Sequence, residues 1–307
     1  PLRVSSRFWG PDVSRMDDID HGESEKKNHC SLSATPAAKR NRFFFRRTYM
    51  WCACFPEGMV DVTQTQFDPH VVERCTSGAG VLPFARRPDG ALVVLLARER
   101  YFPAWRGSCR WSAFEGTRLP GETVAENAAR EFDEESLGVL RAVLPEGMHA
   151  LLEKRTYAFR IVLRILSDNP VQRYHCTYAV EVPWCPEFPQ DFSATRTRLE
   201  LIERLAQEWE HARSLADPTT ALECSHIKAR LDRAMTNHPC IRKTFAPDGT
   251  FEHVELATEH MEKDQMRWWR HDELETVMKN HGRIGMDRFR PYFIPVLQTF
   301  LQQYATT

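Results

Sequence analysis

The sequence predicts an α/β fold on three observations: apolar runs of strand length, a turn signal joining two of them, and amphipathic segments at helical period between and after the strands. The first two runs are residues 78–84 and 91–97. Between them lies Pro88-Asp89-Gly90, where glycine is free to take a positive φ, so the pair reads as a β-hairpin. Further strands are predicted at 157–165 and 174–182, with a turn around Asp168-Asn169-Pro170. Leu199, Ile202, Ala206 and Trp209 recur at helical spacing within 195–215, and a second helix is predicted over 219–235. After a turn at Pro247-Asp248-Gly249 come a strand ending in Met266-Arg267-Trp268-Trp269, a helix beginning at Asp272 and a last helix within 291–304.

Residues 1–76 differ in character. Acidic Asp17, Asp18, Asp20, Glu23 and Glu25 precede a basic cluster, Lys39, Arg40, Arg42, Arg46 and Arg47, interrupted by Phe43, Phe44 and Phe45. No helical or strand period persists, which predicts a disordered N-terminal extension ahead of one domain at 77–304. The full 307 residues are 42% hydrophobic and 27% charged, the balance of a soluble globular protein. A net charge of −1 gives no global reason to expect a nucleic-acid, membrane or acidic partner. Nine cysteines without a tight framework, an odd number, predict reduced thiols and a cytoplasmic location. No apolar run approaches the roughly 20 residues that cross a bilayer.

Chemistry concentrates between Trp111 and Gly138. Val124, Ala125, Ala128, Ala129 and Phe132 fall on one side of a helix, and Glu131, Glu134 and Glu135 sit at i, i+3 and i+4 on an adjacent stripe. Like charges this close, with Glu122 and Asp133 nearby, repel one another unless cations intervene. Clustered carboxylate oxygens are the ligands that Mg²⁺ and Mn²⁺ prefer. Gly116 and Gly121 allow the preceding loop to turn tightly and approach the site.

At these residues the chain resembles the Nudix hydrolase family, whose box reads G-x5-E-x7-R-E-U-x-E-E-x-G-U, U being bulky and aliphatic. Gly116, Glu122 and Arg130-Glu131-Phe132-Asp133-Glu134-Glu135 stand in its register. Leu137 occupies the place of the final glycine and Gly138 follows one position late, where it is expected to form the left-handed helix cap. Phe132 replaces the aliphatic residue. The resemblance implies a Nudix-type α/β/α sandwich around a mixed sheet, with Glu131, Glu134 and Glu135 as catalytic residues and metal ligands. Arg130 would hold a glutamate, and Gly116 and Glu122 would support the loop. It also implies a further acidic residue from a later loop; of Glu259, Glu262 and Asp264, Glu262 is preferred by its spacing to Trp268.

The expected activity is Mg²⁺- or Mn²⁺-dependent hydrolysis of a phosphoanhydride in a nucleoside-diphosphate-X substrate. The expected partner is a small-molecule pyrophosphate, with nucleic acid only as a capped-RNA substrate. The alternative is a catalytically silent Nudix-fold sensor of a nucleotide or inositol pyrophosphate. Residues 186–240 read as a helical insertion that caps the site and sets substrate choice. Cys224-Ser225-His226 and His238-Pro239-Cys240 are not expected to bind zinc, because Cys224 and His226 diverge on a helix. Trp105, Trp111, Trp268 and Trp269 are candidates for a base-stacking wall, or for core.

Overall fold

A computed structural model describes residues 60–61, 68–103, 105–165, 173–215, 220–247 and 251–305, all within the unit Phe44–Thr307. In chain order the elements are β1 (Val60–Asp61), α1 (Pro69–Cys75), β2 (Thr76–Arg86), β3 (Leu92–Glu99), β4 (Arg110–Ser112), β5 (Phe114–Thr117), α2 (Val124–Glu135), α3 (Gly147–Glu153), β6 (Phe159–Ile165) and β7 (Arg173–Glu181). There follow α4 (Phe188–Ser214), α5 (Thr220–Ala234), β8 (Ile241–Phe245), β9 (Phe251–Leu256), β10 (Lys263–Arg270), α6 (His271–Lys279), β11 (Arg283–Ile284), β12 (Asp287–Phe289) and α7 (Phe293–Ala305).

One mixed sheet runs in the order β1-β6-β7-β2-β3-β4-β12-β11, with β10 paired to β3 and β5 to β2. The β2–β7 and β4–β12 pairs are parallel, while the predicted β2–β3 hairpin is antiparallel. Side chains alternate across the strands, so the sheet has two buried faces. Leu95 and Ala97 of β3 join Val124, Ala128 and Phe132 of α2 in one core. Leu92, Val94 and Leu96 join Leu274 and Val277 of α6 and Phe293, Val296 and Phe300 of α7 in the other. Helices thus cover both faces, the α/β/α sandwich.

Two expectations are corrected. The stretch before residue 77 contains a helix, α1, in which Asp68 accepts the His70 N–H at 2.9 Å and Pro69 opens the first turn. A helix this short carries a single buried residue, Val72, and therefore no detectable period; β1 lies in the same stretch, and residues 1–59 lie outside the described ones. The strand expected after Gly249 is two, β9 and β10, separated by a 3-10 turn at Thr258–Met261. The turns at 168–170 and 248–249 lie outside the described residues. The helix expected over 195–215 is α4, which buries Phe188, Phe192, Leu199, Ile202, Leu205 and Trp209 in the same core as α2.

Candidate active site

The carboxylate helix is fixed from its first turn. Thr123 accepts the Glu126 N–H at 3.1 Å and Glu126 accepts the Thr123 N–H at 2.7 Å, a reciprocal cap. The Val124 N–H goes to the Glu73 carboxylate of α1 at 2.9 Å. Phe132 meets Phe114 edge-on at 5.4 Å between ring centres, and truncating such a buried ring costs about 3–5 kcal/mol. With that face anchored, the Glu131–Glu134–Glu135 stripe has a defined direction.

The two glycines ahead of the helix have different reasons to be glycine. Gly121 adopts φ +89° in open space. Gly116 is required by proximity: a Cβ there would stand 2.2 Å from the Glu131 carboxyl carbon. Arg130 then ties the outer carboxylates together. Its Nε donates to Glu122 Oε1 at 2.6 Å, and its Nη1 to Glu134 Oε2 at 2.9 Å. Its Nη2 reaches both the Thr117 carbonyl and Glu131 Oε1 at 2.9 Å.

Glu135 points inward. Its side chain is 2% exposed, against 12% for Glu131 and 17% for Glu134. Its Oε2 accepts the Glu115 N–H at 2.8 Å and its Oε1 lies 3.1 Å from Lys263 Nζ. That buried ammonium also donates to Glu99 Oε1 at 2.6 Å and Ser112 Oγ at 3.0 Å. Arg290 Nη1 donates to the same Glu99 oxygen at 2.9 Å. Glu115 accepts from the Tyr292 hydroxyl at 2.7 Å and bonds His175 Nε2 at 2.8 Å. Apart from Glu135, no member of this inner layer stands out in the sequence. One signal was present: Glu99 ends an apolar run on the face shared by Leu95 and Ala97, and a carboxylate facing a core demands a partner.

Burial raises the Glu131 carboxyl to about 8; Arg130 opposes the shift, while Glu134 and Glu262 add to it. Glu262 is pushed to about 7 by burial, with Glu99 adding, and Glu134 is raised, burial again leading. Burial favours neutral Lys263, but Glu135 and Glu99 outweigh it and the ammonium is held charged. Of the three later acidic candidates, Asp264 is held by Arg98 at 2.8 and 3.1 Å and Glu259 by Arg242 at 2.8 Å. Glu262 adds to the rise of Glu131, and Glu259 to that of Glu134.

Among the described residues no three His, Cys, Asp or Glu side chains are gathered round one point for an ion. The carboxylates are drawn onto Arg130 and Lys263 instead. Their chemistry still fits a hard divalent cation: the donors are all oxygen, partly or fully buried, and they outnumber the neighbouring cations.

The far end of α2 departs from expectation. Leu137 itself takes the left-handed conformation, φ +54°, followed by Gly138 at +65°. The Gly138 N–H reaches the Asp133 carbonyl at 3.1 Å and the Leu137 N–H that of Glu134 at 3.2 Å, a Schellman closure with leucine in the glycine position. His238 Nε2–H donates to the Leu137 carbonyl at 2.9 Å, while its Nδ1 lies 2.9 Å from Cys240 Sγ. That histidine thus serves the helix end.

The four tryptophans do not form one wall. Trp111 and Trp269 pack edge-on in the second core, 5.2 Å between ring centres. Trp268 lies 4.9 Å from Trp184, and Trp105 covers the Arg290 guanidinium at 5.4 Å. A cleft of about 320 Å³, lined by Trp111, Phe192, Ser193, Asp264, Arg267 and Asp287 among others, shares no residue with the carboxylate cluster.

No family model and no curated protein matches the chain. Among solved structures it is similar to a Nudix hydrolase from M. smegmatis, RenU, at 14% identity over 75% of this chain and 87% of that one, TM-score 0.36. It is similar to a C. elegans Ap4A hydrolase binary complex at 12% identity over 75% and 96%, TM-score 0.32. A third is the bifunctional NMN adenylyltransferase/ADP ribose pyrophosphatase of Francisella tularensis, complexed with AMP and a Mn ion. Its figures are 10% identity over 75% and 42%, TM-score 0.36. The functional reading rests on this chain's own geometry.

Proposed function

We propose that this chain is a divalent-metal-dependent hydrolase of phosphoanhydride bonds in nucleoside-diphosphate-X substrates, with Mg²⁺ or Mn²⁺ as cofactor. The observation that carries the reading is a set of partly buried carboxylates, Glu131 and Glu134 on one turn of α2 with Glu262 beside β10; burial first, and the neighbouring carboxylates second, raise Glu131 to about 8 and Glu262 to about 7. Such a cluster is costly without added positive charge. The bound cation supplies Lewis acidity toward the phosphate oxygens and neutralises charge developing there. Under the cation's charge the raised Glu131 carboxyl would come down to its ionised form, and Glu131, close against Gly116, would then take the proton of the attacking water. Glu131, Glu134 and Glu262 supply ligand oxygens, and Arg130 orients Glu131 and Glu134 from the side of Glu122. Glu135 stands behind them as the inner member of the stripe.

The test is a metal-supplemented screen of dinucleoside polyphosphates, nucleotide sugars, coenzymes, oxidised nucleotides and capped RNA, with products identified by mass. Divalent-dependent cleavage of one class is expected. Tight binding of a panel member with no turnover in any metal would instead establish a sensor. The hold of Arg130 on both Glu131 and Glu134 is the observation that favours that alternative.

A further inference from the structure

The inner half of the carboxylate layer is organised round a lysine. Lys263 opens β10, its side chain is 0% exposed, and an ammonium offers three protons. Three acceptors lie within 3.1 Å of Nζ: Glu99 Oε1, Ser112 Oγ and Glu135 Oε1. The remaining Glu135 oxygen is taken by the Glu115 N–H. Both Glu135 oxygens therefore already have donors, and its side chain is closed to solvent. Glu131 and Glu134 have Arg130 as their charged neighbour and keep a solvent-facing edge.

Resting on the hydrolase reading above, we propose that the Lys263 ammonium is a tethered cation occupying the place of a second divalent ion. Glu135 is then a positioning residue held by that lysine, and the working ion is held by Glu131, Glu134 and Glu262. The physical argument is charge and shape. Glu99 and Glu135 converge on one point from β3 and α2 in a dry pocket, with Ser112 Oγ as the third acceptor; Arg290 Nη1 reaches the Glu99 oxygen at 2.9 Å, while the Glu135 oxygen facing that point has Lys263 as its ion-pair partner. Such a pocket requires positive charge at its centre. A lysine supplies it permanently, whereas an ion would have to be dehydrated and captured. The lysine also joins β10, and so the adjacent Glu262, to the end of α2.

The experiment is Mn²⁺ binding by equilibrium dialysis on the full chain, read as ions per chain, with circular dichroism to confirm folding. Lys263→Met keeps the apolar stem and removes the charge. It is expected to bind one more Mn²⁺ than wild type, and its melting temperature should rise with Mn²⁺ more than the parent's does. Lys263→Met combined with Glu135→Gln should return to the wild-type number. A folded Lys263→Met protein with unchanged stoichiometry overturns the proposal. Should Lys263→Met fail to fold with or without Mn²⁺, Glu135→Gln alone decides. Wild-type stoichiometry and affinity within a few-fold support a positioning role; loss of an ion, or a 100-fold loss of affinity, overturns it. Failure of the hydrolase reading is separable. A wild-type chain that binds no Mn²⁺ sinks that reading, while a Lys263→Met chain that then binds one ion still supports the tethered cation.

Discussion

Substituting Gly116 by alanine separates the geometry of the site from the stability of the fold. The new Cβ would lie 2.2 Å from the Glu131 carboxyl carbon. Carbon atoms pack at about 3.5 Å or more, so the carboxylate must retreat by roughly 1.3 Å. The group that yields is the end of a flexible side chain, which limits the stability cost to about 1 kcal/mol, the low end for overpacking. Catalysis is far less tolerant, since a misplacement of about 1 Å costs on the order of 100-fold in rate. Gly121→Ala is the control: it strains a backbone at φ +89° with no atom within 4 Å of its Cβ. It is expected to lose about 1 kcal/mol of stability while the folded fraction turns over at a rate close to the parent's. Thermal melts and turnover of the best panel substrate, measured side by side in saturating Mg²⁺ or Mn²⁺, read both effects. Parental turnover in Gly116→Ala, or a loss no greater than its unfolded fraction explains, would refute the placement of Glu131 at the reacting centre.

Four further outcomes are expected. Glu134→Gln should fold as the parent does and lose divalent-dependent turnover by two orders of magnitude or more, as removal of a ligand charge requires. Burial raises the Glu115 carboxyl, but His175, Arg290 and Tyr292 outweigh it and hold it at about 2, below the ordinary 4.5. A carboxyl lowered in the folded state stabilises above its unfolded value, and that contribution is lost as pH falls from about 4.5 to 2. Denaturant midpoints should therefore drop more steeply across that window in wild type than in Glu115→Gln. A chain starting at Val60 should melt with the parent. One starting at Ser77 loses Glu73 and should fall by a few degrees, the equivalent of about 1–2 kcal/mol for a lost helix cap. Replacing residues 186–240 by a short linker should prevent folding, since α4 is core; soluble, cooperatively melting protein from that variant would show that the α4 contacts are dispensable.

The legible part of this molecule is what repeats or alternates. The β2–β3 hairpin, the apolar face of α2 and the Leu199–Trp209 stripe each follow from period, and the carboxylate stripe follows from spacing on that helix. Illegible from the sequence were residues whose partners are remote in the chain. Lys263 meets Glu99 and Glu135 only because β10 pairs beside β3 while α2 packs across the face both strands present. Glu73 is likewise an ordinary acidic residue of a short helix until the Val124 N–H comes to rest against it. In residues 186–240 the amphipathic stripe was visible and α4 buries it in the core shared with α2, but the stripe alone did not show what it packs against.

Leu137 has implications for how motifs are defined. A left-handed residue with a Cβ costs roughly 1–2 kcal/mol relative to glycine. Here the Leu137 side chain is 3% exposed within the main core, and its burial is worth a comparable amount, about 1.5–3 kcal/mol. The His238 bond to its carbonyl adds to that. The requirement at this position is therefore for a chain reversal, which a buried leucine can satisfy as well as a glycine can. A consensus written in residue letters records the cheapest answer to a conformational demand. Chains that meet the same demand by packing will depart from the letters while keeping the geometry, and Leu137→Gly would gain backbone freedom here only by emptying a place in the core.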